Sequence, residues 1–207
     1  MEVKRKMVED VHAIPLGMVK SFLLTCEGKL VLIDTGHSVG DAQTILEHVE
    51  KMGSRSEDVE LCVITHYHGD HVGGLRRLKD ACAFKVASHE GDADRIFKDT
   101  GVWVDVRLED GETLPYCGGI RVIHVPGHTT GNIVLYLEKK RVIIVGDTIF
   151  ADERGNLAPP PPQYCEDVDM AKRELKRLLK LDFDAVLVSH GKDVHSGGKE
   201  KVKALVA

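Results

Sequence analysis

The chain lacks an excess of basic charge: its 207 residues include 28 Lys or Arg against 33 Asp or Glu, a formal net charge of −5. A protein that holds nucleic acid mainly by neutralising phosphates needs a basic face, so this balance argues against that class. No stretch approaches the roughly 18 consecutive apolar residues of a membrane span. The opening MEVKRKMVEDVHAIPLG contains the basic residues Lys4, Arg5 and Lys6 but has no apolar core of the kind a signal peptide carries. A soluble, cytoplasmic protein with neither nucleic-acid nor membrane partners is the expectation. Paired cysteines are also missing. Cys26, Cys62, Cys82, Cys117 and Cys165 are odd in number, widely spaced and form no CxxC, which points away from a disulfide framework and from a cysteine zinc knuckle. A reducing compartment follows, with Cys26 and Cys62 assigned to the core. Repeats and linkers are absent too, so one domain over residues 1–207 is expected, with 43% hydrophobic content to fill its core.

What is there is a chain of short apolar runs. SFLLTCEGKLVLIDTG reads as a hairpin turning at Glu27-Gly28, its second strand ending at Asp34-Thr35-Gly36. Ala42, Ile45, Leu46 and Val49 fall at helical spacing ahead of Gly53, a helix with a C-terminal glycine. Strand VELCVIT, a short helix HVGGLRRLK, strand FKVASH and helix EGDADRIFK come next. VDVRL, ETLPY, IRVIHV, IVLYLE and RVIIVG then give closely spaced strands. Pro159 to Pro162 form a stiff extended loop. Met170, Leu175, Leu178 and Leu179 mark one amphipathic helix in DVDMAKRELKRLLKL, before strand AVLVSH and helix GKEKVKALV. Strands that alternate with helices, cluster, and alternate again imply two mixed sheets with helices outside them.

Residues 65 to 74, THYHGDHVGG, put His66, His68, Asp70 and His71 into six positions directly after the apolar VELCVIT. Imidazole nitrogen and carboxylate oxygen are the ligands of zinc, iron and manganese, and four of them so close together call for a cation between them. His66 and His68, two apart, turn to one side if extended geometry persists, while Tyr67 turns to the other. Asp70 and His71 follow at a helix start, and Gly69, Gly73 and Gly74 allow a tight backbone. Three more ligand types stand where an apolar run meets a turn: His128 in VPGHTTGN, Asp147 in VIIVGDTIF and His190 in AVLVSHGK. A lone histidine after a strand is more often structural, but seven such residues together are not.

From the DTG at Asp34 to the SHG at His190 the chain resembles the metallo-β-lactamase fold superfamily, whose pattern is HxHxDH, a further His, a bridging Asp and a final His. The resemblance implies a four-layer αββα sandwich of two mixed sheets with outer helices. It implies that His66, His68 and His128 hold one metal and Asp70, His71 and His190 a second, with Asp147 bridging and Asp34 behind the ligands. Two divalent ions, zinc foremost with iron or manganese as alternatives, are the implied cofactors. The implied activity is hydrolysis of a small molecule, with Asp70 steering water or returning a proton.

PGHTTGN and GDTIF resemble segments of the glyoxalase II-like thioesterases and lactonases, which favours an ester, thioester or lactone. With 17 residues after His190, the helical C-terminal domain with which glyoxalase II holds glutathione is expected to be missing. Two alternatives of the same fold stay open: a mononuclear iron persulfide dioxygenase using His66, His128 and Asp147, and a phosphodiesterase or nuclease. Oligomeric state and the residues that contact substrate are not legible.

Overall fold

The computed structural model describes residues 10–206; the basic stretch over residues 1–9 lies outside them. Two compact units result, one ending at Leu108 and the other beginning at Glu109.

The first unit holds a six-stranded sheet in sequence order: β1 (Val11–Leu16), β2 (Val19–Cys26), β3 (Lys29–Ile33), β4 (Val59–Val63), β5 (Lys85–His89) and β6 (Val106–Leu108). β1 to β3 are antiparallel, joined by turns in which Gly17, Glu27 and Gly28 take positive φ. β3 to β6 run parallel, so each step needs a crossover. Helices supply them: α1 (Val39–Lys51), then α2 (Gly69–Val72) with α3 (Leu75–Ala81), then α4 (Glu90–Thr100). α1 begins where Ser38 and Asp41 cap each other reciprocally, and it buries Ala42, Ile45 and Val49. Those side chains meet Leu75, Leu78 and Ile96 of the other helices over Leu30, Leu32, Cys62 and Val86 of the sheet. The alternate strand residues Val31, Ile33, Val63 and Ala87 are buried as well. Burial on both faces is why these strands read as unbroken apolar runs rather than alternating ones.

The second unit holds β7 (Thr113–Leu114), β8 (Ile120–His124), β9 (Ile133–Leu137), β10 (Val142–Ile144), β11 (Phe150–Ala151), β12 (Leu157–Ala158) and β13 (Ala185–Leu187). Five form a sheet in the order β13-β10-β9-β8-β7, parallel only between β10 and β13, and β11 with β12 forms a separate two-stranded ribbon. Val134, Tyr136, Ile143 and Val145 pack with Leu175, Leu178, Phe183 and Val202, the last from α6 (Gly198–Leu205). The expected two mixed sheets with helices are thus present.

Several local expectations need correction. β1 lies in VHAIPL, where Pro15 hid it, and the β11–β12 ribbon went unread because two-residue strands leave no periodicity. The helix expected over HVGGLRRLK is two helices broken at Gly73-Gly74. The segment after Asp167 is α5 (Val168–Glu174) followed by a 3-10 helix over Leu175–Lys180. Its buried leucines, Leu175 and Leu178, are three apart, the spacing that eclipses in a 3-10 turn. The proline loop ends in a further 3-10 turn, Pro162–Tyr164. Cys26 is buried, but it is disulfide-bonded, as is Cys117, against the expectation of unpaired thiols. Spacing along the chain cannot reveal such a bond, because it depends on proximity in space. Cys62 does belong to the core, and burial raises its thiol pKa well above the ordinary value. Among the described residues no helix is long and apolar enough to cross a membrane.

Candidate metal centre

Strand β4 stops at Val63, and the chain from Ile64 to His68 is irregular before α2 begins at Gly69. Along it the coordinating atoms of His66 and His68, of His66 and His71, and of Asp70 and His71 come within 4.8 Å of one another. The imidazoles of His66 and His68 meet edge to face, centroids 4.8 Å apart. Tyr67 N–H donates to Asp92, and its ring lies under the Arg95 guanidinium while meeting the His68 ring edge to face, centroids 4.9 Å apart.

Asp34 organises this group. It leaves β3 with φ 59°, a left-handed conformation that a short polar side chain tolerates, and it is buried. One carboxylate oxygen accepts from the Thr65 N–H at 2.8 Å; the other accepts from the Thr65 hydroxyl at 2.7 Å and from His71 Nδ1 at 2.8 Å. Since the Thr65 hydroxyl spends its proton on Asp34, its lone pair faces His66 Nδ1, 3.1 Å away. One buried carboxylate therefore sets the tautomer of two histidines, His71 directly and His66 through Thr65, and makes Nε2 the nitrogen of each that would face an ion. The loop after Asp34 also grips α2. Thr35 donates to the His71 carbonyl from both N–H and hydroxyl, and Gly73 N–H donates to Gly36. A Cβ at Gly73 would lie 1.9 Å from the His37 oxygen and one at Gly74 2.3 Å from the Thr35 oxygen, so both must be glycine. Gly69 has open space there, and no steric need for glycine.

In the second unit the ligand types arrive singly. Asp147 Oδ2 lies 3.5 Å from His128 Nε2 and 3.5 Å from His190 Nε2. That is too long for an N–H···O hydrogen bond, which runs to about 3.2 Å. It matches the edge of a tetrahedron of ligands, about 3.3–3.6 Å when each bond to zinc is 2.0–2.2 Å. His128 follows Gly127, whose Cβ would strike the backbone of Ala171 at 2.2 Å. Backbone bonds from Glu166 to His128 and from Asp167 to Gly127 fix the loop from outside. Cys165 stands 3.8 Å from His128 Nδ1 and points its thiol proton at the Pro161 carbonyl. Burial, with the Asp147 charge, raises that thiol's pKa against the opposing pull of Lys172. Asn132 donates to the Val125 carbonyl at 2.9 Å and to the Thr148 hydroxyl at 2.7 Å, tying the His128 loop to the Asp147 segment. The loop carrying His190 closes through Val186 paired with Val194 and Asp193 accepting from Val188.

The predicted ligands thus fall into two groups: His66 and His68 after β4 with Asp70 and His71 in α2 and Asp34 behind them in the first unit, and His128 and His190 gathered on Asp147 after strands of the second. Sequence reading missed Thr65, Asn132, Phe150 and Cys165. The first three lie inside or beside the quoted motifs, whereas nothing in the sequence marks Cys165.

Fold and donor sets define a mixed α/β protein whose strand ends carry imidazole and carboxylate groups spaced as metal ligands. Residues 14–190 match the sequence pattern of the metallo-beta-lactamase superfamily. A hydroxyacylglutathione hydrolase of Hyphomonas neptunium is 32% identical over 155 residues, 74% of this chain and 54% of that protein. The beta-lactamase-like protein 2 homolog of Caenorhabditis elegans is 32% identical over 193 residues, 91% and 61% of the two chains. A crystal structure of a metallo-beta-lactamase family protein from Thermus thermophilus superposes with a TM-score of 0.75 at 22% identity, covering 96% of this chain and 78% of that one. The chain belongs to the metallo-beta-lactamase superfamily and has its fold. It spans about half the length of the hydroxyacylglutathione hydrolases it matches.

Proposed function

We propose that the two ligand groups act as one dinuclear centre in a single catalytic domain, and that the protein is a hydrolase of ester, thioester or lactone carbonyls in small molecules. The observation that carries this reading is Asp147, with one oxygen 3.5 Å from each of two imidazole nitrogens, the spacing of ligands around an ion. His66, His68 and His128 would hold one ion and Asp70, His71 and His190 the other, with Asp147 shared. A donor set of imidazole and carboxylate without thiolate suits zinc, and also iron or manganese. Bound divalent ions supply Lewis acidity, lowering the pKa of water towards about 7 and polarising the carbonyl oxygen of the substrate.

The chain's own residues do the rest. Asp34 and Thr65 hold His71 and His66 in one tautomer, so that no reorganisation accompanies the reaction. Asp70, with its side chain 35% exposed, is the carboxylate assigned to orient water and return a proton to the leaving group. Relatives named hydroxyacylglutathione hydrolase support a thioester over the other two substrates, since a hydroxyacylglutathione is one. The net charge of −5 supports a small-molecule substrate over nucleic acid, and a cytoplasmic setting belongs to the same reading.

Elemental analysis of protein purified without added metal tests it, together with hydrolysis of a hydroxyacylglutathione, an aryl ester and a lactone. Two zinc or manganese ions per chain and turnover of one of the three are expected. One iron per chain with oxygen uptake on a persulfide would overturn the reading in favour of a dioxygenase. Asp147→Ala is expected to abolish turnover and to lose metal; survival of both would refute the shared carboxylate.

A further inference from the structure

We propose that Phe150 is a positioning residue for His190: its ring fixes the plane of the imidazole and thereby the direction in which Nε2 meets a metal ion. The inference rests on the reading of His190 as a ligand. The two rings are stacked, centroids 4.8 Å apart and planes 4° from parallel. In contact at that separation they are offset, the arrangement that aromatic quadrupoles favour over a face-to-face sandwich.

The plane matters because the lone pair of an imidazole nitrogen lies in it. Turning the ring about its bond to Cβ swings that lone pair away from a fixed ion, so whatever holds the plane holds the ligand direction. A hydrogen bond does this for His71, through Asp34. At His190 a ring face does it.

Backbone ties keep the stack from depending on two mobile side chains. Ala151 N–H donates to the His190 carbonyl at 3.0 Å. Gly191, at φ 93°, brings its backbone so close that a Cβ there would lie 1.7 Å from the Ala151 oxygen. Phe150 is itself anchored in the ribbon, opposite Ala158. Three residues upstream, Asp147 faces the edge of the same imidazole, Oδ2 to Nε2 at 3.5 Å. One short segment therefore presents a carboxylate to the edge of His190 and an aromatic ring to its face. An imidazole that has given electron density to a cation is drawn more strongly to a π face, so metal binding and stacking reinforce each other.

Metal-stripped parent, Phe150→Leu, Phe150→Tyr and His190→Ala proteins are titrated with Co2+ and Zn2+ against a competing chelator, reading the number of ions, their affinities and the visible spectrum of bound cobalt. Thermal unfolding of the stripped proteins checks the fold. Phe150→Leu is expected to bind one of the two ions about 10–100-fold less tightly and to alter the cobalt spectrum, as loss of an outer-shell partner does. Phe150→Tyr, which keeps the ring face, is expected to match the parent in both. If the leucine variant does not fold, Phe150→Met repeats the comparison with an unbranched filler of the same space. A leucine or methionine variant that binds cobalt as the tyrosine variant does would show that Phe150 only fills space, overturning the proposal while His190 remains a ligand. Unchanged binding in His190→Ala would instead remove the metal reading, and the proposal with it.

Discussion

The two units align their ligand types by different physics. In the first, four ligand types fall within six residues, and one buried carboxylate, Asp34, aligns two of them through charge-assisted hydrogen bonds. In the second, three arrive from three separate strand ends, and their alignment comes from a thiol beside His128, an aromatic face on His190 and the amide of Asn132 between segments. A charged hub concentrates the work in one residue, so its loss disorients His66 and His71 together. Neutral, dispersed contacts fail one side chain at a time. Breaking the hub should therefore cost more stability than breaking any one contact of the second unit, because three buried donors lose their acceptor together.

Asp34→Ala is the largest expected effect. It removes the acceptor of the Thr65 N–H, the Thr65 hydroxyl and His71 Nδ1 at a buried site, and it puts alanine at φ 59°. Each buried donor left without an acceptor costs about 1–3 kcal/mol, so a stability loss on the order of 3–5 kcal/mol is expected by chemical denaturation. Asp34→Asn keeps the volume and the backbone preference but sets an amide N–H against a donor. It should retain most of the stability and lose about 10–100-fold in metal affinity. An alanine variant as stable as the parent would show that the hub is not one.

The same contrast explains what the sequence disclosed. THYHGDHVGG displays its four ligand types contiguously, directly after an apolar run, so strand end and donor set are legible at once. His128, Asp147 and His190 are legible singly because each follows its own apolar run. Their aligners are not, since Cys165 stands 37 residues from His128 and Phe150 stacks on a histidine 40 residues away, contacts that only the folded chain creates. β1 was hidden by Pro15, tolerated there because β1 lies at the sheet edge. The disulfide-bonded state of Cys26 and Cys117 belongs to the same class of facts set by space rather than spacing.

Cys165→Ala sharpens the comparison from the other side. It removes a weak sulfur contact, 3.8 Å from His128 Nδ1, and a thiol donor to Pro161. His128 stays fixed by the Glu166 and Asp167 backbone bonds and by Gly127, so the affinity for metal should fall less than about tenfold, below the range for loss of a strong outer partner. Competitive chelation of the stripped variant measures it. A loss as great as that of Asp34→Asn would show that the sulfur contact, and not the backbone around it, fixes His128.

The smallest expected effect separates the units by pH. In the first, burial lowers the pKa of His48, aided by the nearby His12 and by Lys51. The folded state thus resists protonation that the unfolded chain accepts near its ordinary value of about 6.5, and the stability His48 contributes is present above that pH and lost as pH falls below it. In the second, burial of Asp110 works to raise its pKa, but the His124 N–H and Arg177 outweigh it and the net shift is downward. Its contribution is therefore kept down to about pH 4, the ordinary carboxylate value, and lost only below it. Hydrogen exchange across this range should show α1 and β1 losing protection as pH falls below about 6.5, while β8 and the 3-10 segment carrying Arg177 hold theirs. His48→Gln, neutral at every pH, should change stability at pH 7 by no more than about 0.5 kcal/mol and flatten the first step alone. Loss of protection in both units at the same pH would mean that they unfold as one body and that neither group sets the acid limit by itself.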